Sequence, residues 1–227
     1  MTYNSSRDAE SQALCEQWVD GFYANPDRTS APTCSWLGHD VEWAPQGQVG
    51  DPVVTLQLGY RSRTRGISPN PAQPHNLLYK ALVVHLPHFD AHACKKLTHL
   101  LEDNDIIKVG VHTEDDMERL LGGHNLSYNN WFELGDRDAG LDPDFPPPRK
   151  GLKALCQEYL GGHPLYRPTH IWPTIKLDKR PLTDSVIEYL AAPAVAGWKV
   201  HEEFLIRVQR AHQMLRNSLV VMDVHPQ

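Results

Sequence analysis

The sequence contains no run of about 18 apolar residues, and its opening Met1-Thr2-Tyr3-Asn4 has no apolar segment behind it. Neither a membrane-spanning helix nor a secretory signal is therefore expected. Surplus basic charge is missing too: the formal net charge of −6 argues against broad attraction to a polyphosphate and confines any nucleic-acid contact to local patches. Cysteine is sparse. Cys15, Cys34, Cys94 and Cys156 show no paired spacing, which excludes a zinc knuckle or a disulfide framework and predicts reduced, buried thiols. No Gly-rich phosphate loop, no Ser-His-Asp order, no catalytic-cysteine signature and no internal repeat is present. The expected residence is intracellular, in nucleus or cytoplasm, with no membrane partner.

A chain of 227 residues with 41% hydrophobic and 22% charged residues suits a globular α/β protein with a substantial core. Residues 1–30 read as a helical extension and 31–227 as the main domain. Within the extension, residues 7–23 form a helical pattern with Leu14, Trp18, Val19 and Phe22 on one stripe. Strands are expected over 36–43, 53–60, 77–86, 106–111 and 130–134. Helices are expected over 91–102, with Ala93, Leu97, Leu100 and Leu101 buried, then 114–121 with Thr113 as its N-cap, 152–160, and 182–216 with an interruption at Pro193. The proline-rich stretch 136–150 reads as a loop. Three strands in a meander followed by strands alternating with helices predict an α/β fold: a mixed five-stranded sheet flanked by helices, of the ribonuclease-H-like kind.

The chemistry concentrates in acids. Asp40 and Glu42 stand at i and i+2 on a strand, so both carboxylates point to one face and can share a divalent cation. Asp116 sits in the first turn of a helix that opens just after a later strand. It can reach toward the same cation, or serve the helix dipole as Glu114 and Asp115 also could. Arg61, Arg63 and Arg65 form the compact basic cluster, readable as a phosphate contact at the sheet rim or as a solvated loop. His85, His88 and His92 have ligand-like spacing, but Pro87 breaks any single face and they read as loop histidines.

These pieces, in this order, resemble the DEDD 3′-5′ exonucleases, in the branch of RNase D and the Werner-syndrome exonuclease domain. The resemblance runs over about residues 34–205. It rests on Asp40-Val41-Glu42, on Lys108-Val109-Gly110 leading to Asp116 and Leu120-Leu121, on Phe132 to Asp136, on Gly151 to Gly161, and on Arg180-Pro181-Leu182-Thr183. It implies two metal ions, Mg²⁺ or Mn²⁺, and a DNA or RNA 3′ end as substrate. Asp40 would bridge the ions, Glu42 would bind the first, Asp116 would support the second, and Tyr189 would position the water.

The family's last helix carries Tyr-x-x-x-Asp, and this chain has Tyr189-Leu190-Ala191-Ala192-Pro193. The fourth acid is absent. Proline also lacks the N–H for the Tyr189 carbonyl and crowds it, at a cost of roughly 3 kcal/mol in a helix interior, so a kink or restart is expected there. Tyr189 then reads either as the water-orienting tyrosine or as a core aromatic. The expectation is a 3′-5′ exonuclease-like domain with a weakened metal site and weak or absent hydrolysis. The alternative is an inactive exonuclease-fold scaffold that binds nucleic acid or a protein partner.

Overall fold

The computed structural model describes residues 5–25, 35–43, 53–63, 77–136, 150–161, 177 and 182–222. Strands β1 (Ser35–Trp43), β2 (Val53–Arg63), β3 (Leu77–His85), β4 (Ile106–Gly110) and β5 (Trp131–Glu133) form one sheet in the order β3-β2-β1-β4-β5. The first three pair antiparallel as a meander. β1 with β4 and β4 with β5 run parallel. Parallel neighbours need a crossover, and the helices α2 (Lys95–Glu102) and α3 (Thr113–His124) supply it. This is the mixed, helix-flanked α/β sheet expected of a ribonuclease-H-like fold.

Alternation along the strands gives the sheet two apolar faces. On one, Leu37, Val41, Leu56, Leu58 and Tyr60 pack with α1 (Ser5–Tyr23) and α2 through Cys15, Val19, Phe22, Leu97, Leu100 and Leu101. Trp18 and Phe22 meet the Tyr60 ring edge-on at 5.0 and 5.3 Å, a favoured aromatic geometry. On the other, Val109 and Leu134 pack with α4 (Leu152–Tyr159) and α5 (Asp184–Met222) through Leu155, Cys156, Ala196 and Val200. Arg207 of α5 donates from Nη2 to the carbonyls of Glu158 and Tyr159 at 2.9 and 3.3 Å, satisfying the C-terminal end of α4.

Two expectations about helices need correcting. Leu14 is 60% exposed, because the buried stripe of α1 is Cys15, Val19 and Phe22, spaced i, i+4, i+7, and Leu14 lies about 100° off it. The helix foreseen from residue 91 starts at Lys95 and leaves Ala93 exposed. The Asp90 carboxylate accepts the backbone N–H groups of His92 and Ala93 at 3.0 and 3.1 Å and holds this stretch as an Asx turn.

Lys108, on the α2 side of β4, is fully buried. Its Nζ donates to the carbonyls of Asp103 and Asn129 at 2.7 and 2.8 Å, tying the end of α2 to the segment that leads into β5. Burial pulls its pKa down to about 8 against the opposing pull of Asp103.

α5 lies directly on the sheet because glycine lets it. A Cβ on Gly38 would stand 1.7 Å from the Ala194 carbonyl oxygen, and one on Gly59 would stand 3.0 Å from the Val195 nitrogen. One turn on, Trp198 stacks on Trp36 with centroids 5.8 Å apart. Four helix residues thus advance with two strand residues, as rises of roughly 1.5 and 3.3 Å per residue require. Gly38→Ala should cost about 3 kcal/mol or more in urea unfolding, since backbone on both sides prevents relief. Gly123→Ala is the control: nothing lies within 4 Å of its Cβ position, so the change should be neutral or stabilising by about 0.5–1 kcal/mol.

Candidate active site

Asp40 and Glu42 lie on the α5 side of β1, the face of Gly38. Their antiparallel partners on β2 are Gln57 and Thr55. Both partners are fully buried, and Gln57 Nε2 donates to Thr55 Oγ1. A polar row therefore crosses the sheet under the first turns of α5. Glu42 is buried and Asp40 half-buried, so the pair does not stand on a solvated edge.

Asp116 is brought to them by local geometry at the start of α3. His112 takes a left-handed conformation, φ 63°, and turns the chain from β4 into the helix. Thr113 is the first helical residue rather than the cap. Its N–H is satisfied from β5, where Glu133 Oε2 accepts it at 2.9 Å while Oε1 accepts the Gly135 N–H at 2.8 Å. An edge strand of three residues thus fixes the helix that carries Asp116.

Asp116 is 3% exposed. Burial first, then the charge of Asp40, and then Asp115, Glu133 and Glu42, push its carboxyl up to about 9. At neutral pH it holds a proton. Behind it, His39 Nδ1 lies 3.9 Å from Asp116 Oδ2, too long for a hydrogen bond. Burial, then Lys108, drive His39 down to about 3, so this is a contact between two neutral groups and not an ion pair. The Tyr128 ring packs edge-on against His39 at 4.9 Å. Gly110 makes room, since a Cβ there would meet the His39 carbonyl and Thr113 Oγ1 at 2.9 Å. Both His39 nitrogens, Thr113 Oγ1 and Tyr128 Oη are buried without hydrogen-bond partners among the described residues.

Tyr189 is buried beside Val54, Leu177 and Leu190. The register of α5 on β1, carried one turn back from Ala194 over Gly38, sets the turn holding Tyr189, Leu190 and Pro193 at the level of Asp40. Pro193 is buried, and α5 runs through it as one helix from Asp184 to Met222. The expected interruption does not occur, because burial of this turn against the sheet offsets the local cost of proline. Asp184 and Glu188 are exposed on α5, away from the turn that faces the sheet.

Of the arginines, Arg61 is held inside the fold: its Nη1 pairs with Glu202, and its guanidinium lies 5.0 Å from the centroid of the Trp198 ring. Arg63 contributes backbone to β2, and Arg65 lies outside the described residues. Three residues near the acids escaped the sequence reading. Glu133 was visible only as part of a strand pattern, and His39 only as the neighbour of Asp40. Arg119, at i+3 from Asp116, places its guanidinium 4.2 Å over the Trp43 ring.

A family model described as 3′-5′ exonuclease matches residues 55–209, from within β2 to beyond Pro193 in α5. The chain belongs to this 3′-5′ exonuclease family. No curated protein sequence matches the chain. Among solved structures it is similar to RNase D of Trypanosoma brucei in complex with RNA U12, at 14% identity and a TM-score of 0.60. That match covers 85% of this chain and 59% of the other. It is also similar to Brucella melitensis NrnC, at 17% identity and a TM-score of 0.53, covering 85% and 81%. NrnC with bound Mg²⁺ gives 18% identity and a TM-score of 0.51 over 86% and 81%. At these identities the likeness is one of fold.

The carboxylates are hard oxygen donors, the chemistry that suits Mg²⁺ or Mn²⁺. Among the described residues no three acid, imidazole or thiolate side chains converge closely enough to hold an ion as they stand. A cation would have to displace the Asp116 proton. Because the folded form keeps that proton up to about 9 while the unfolded chain loses it near 3.8, stability present at acid pH is lost as pH rises between the two values. Asp116→Asn should therefore be more stable than the natural chain at pH 8, by on the order of 3 kcal/mol, with the gap closing near pH 4. Chemical denaturation at the two pH values checks this, and Mn²⁺ should narrow the gap at pH 8.

Proposed function

We propose that this chain is a 3′-5′ exonuclease-fold domain that receives the 3′ end of DNA or RNA at the acidic face of β1, with hydrolysis weak or absent. The observation that carries this reading is the burial of Pro193, in unbroken helix, where the family's pattern puts the last metal-holding aspartate. Asp40, Glu42 and Asp116 would hold Mg²⁺ or Mn²⁺; burial, and then the charges of Asp40 and its acidic neighbours, keep Asp116 protonated without an ion. Bound there, the ion would supply positive charge to the scissile phosphate and to the attacking water. Of the residues around it, Glu133 fixes the helix bearing Asp116. The RNA of the RNase D complex and the Mg²⁺ of NrnC belong to those proteins, and they support the same substrate class and ion here.

One anionic ligand fewer weakens ion affinity and removes charge stabilisation at the reacting phosphate, at a cost of orders of magnitude in rate. A second reading, a non-cutting scaffold for nucleic acid or a protein, is favoured by the tie of Arg61 to Glu202, which makes that arginine part of the packing. A gel assay on a 3′-recessed duplex and on single-stranded RNA in Mn²⁺ tests the proposal. Little or no product is expected from the natural chain, with a gain of about 100-fold or more in Pro193→Asp and its loss on adding Asp40→Ala. Strong cleavage by the natural chain would overturn the proposal. No cleavage by either protein, with binding that is indifferent to Asp40→Ala, would favour the scaffold.

A further inference from the structure

Two cysteines 79 positions apart in sequence meet in the core. Cys94 Sγ lies 3.5 Å from Cys15 Sγ, and both are buried, at 0% and 2% exposure. Cys15 belongs to the buried stripe of α1, and Cys94 is the residue on which α2 begins. Closing the gap to the roughly 2.05 Å of a disulfide takes about 1.5 Å of sulfur movement. The two elements are far apart in sequence: α1 precedes the matched segment 55–209, and α2 lies within it.

Beside the pair, a cavity of about 450 Å³ opens between the same two helices, lined by Val19, Asp20, Tyr23, Lys95, Lys96 and His99. Val19 is one turn from Cys15, and Lys95 is the neighbour of Cys94. Lys96 is occupied by Asp20, with Nζ–Oδ distances of 2.6 and 2.8 Å. The two sulfurs are thus sealed from bulk water, while residues one turn from Cys15 and next to Cys94 line a cleft whose walls are α1 and α2.

We propose that Cys15 and Cys94 form a reversible disulfide, a redox modification that staples α1 to the exonuclease fold. The oxidant is a low-molecular-weight disulfide such as oxidised glutathione, which enters by the cleft when α1 loosens. One protein thiolate attacks a sulfur of the small disulfide, forming a mixed disulfide and releasing one small thiolate. The second cysteine gives its proton to water and attacks the protein sulfur of that mixed disulfide, releasing the second small thiol. Two protein thiols are oxidised to one disulfide, and one small disulfide is reduced to two thiols. Burial and the neighbouring Cys94 raise the Cys15 thiol well above its ordinary range, which makes the reduced pair slow to react while α1 stays docked. The exchange is therefore gated by that docking.

The test uses the full chain incubated at pH 8 with oxidised glutathione, then alkylated and digested for mass spectrometry. A linked peptide joining Cys15 to Cys94 is expected, together with a rise in Tm of about 10 °C, as a closed loop of this length predicts. Dithiothreitol should reverse both. Cys156→Ser, which alters a thiol buried under α5, should leave the link intact, whereas Cys94→Ala should abolish it. Persistence of both thiols under excess oxidant would overturn the proposal, as would separate glutathione adducts without a link. A fall in Tm on linkage would show a strained bond and overturn it as well.

Discussion

The close approach of α5 to the sheet is the constraint on which the remaining arrangement depends. Gly38 and Gly59, on adjacent strands, lack the Cβ atoms that would keep the helix backbone away. With Ala194 seated in that notch, Trp198 can stack on Trp36 at one end while Tyr189 is buried beside Val54 at the other. The register of helix on strand is then fixed to within a residue, since a side chain larger than hydrogen at either glycine would collide with backbone.

The acidic cleft is a site under electrostatic tension. Four carboxyl groups, from Asp40, Glu42, Asp116 and Glu133, come from two strands and a helix that the fold has no freedom to separate. Glu133 is stabilised by two backbone N–H donors and so keeps its place. Burial, and then this tension, fall on Asp116, which keeps a proton. A divalent cation placed between the same carboxylates would be the other way of meeting it, and it would have to compete with that proton.

Much of this was legible in the residues. The five strands and their connections follow from alternation and segment order, and Asp40 and Glu42 share one face of β1 as i, i+2 spacing requires. What escaped depends on contacts between segments far apart in sequence. The pairing of Cys15 with Cys94 has no spacing to betray it, and Glu133 as the true cap of the Asp116 helix requires knowing that β5 pairs with β4. Leu14 was misplaced because the apolar residues of α1 outnumber the single stripe that can be buried. At Pro193 local propensity favoured a break, and packing against the sheet outweighed it. Arg61 looked like a surface cation until the fold supplied Glu202 and Trp198.

The 39-residue helix α5 is roughly 58 Å long, well beyond the span of a strand of 9 or 11 residues. Its first half is pressed to the sheet, while residues 209–214 are exposed. A single secondary-structure element therefore contains two mechanical regimes. Its amides near Ala194 can exchange with solvent only when the whole sheet opens, and those near Met214 can do so by fraying of the tip alone. The beam is clamped at one end, and a load on its outer end reaches the acids through the turn that holds Pro193.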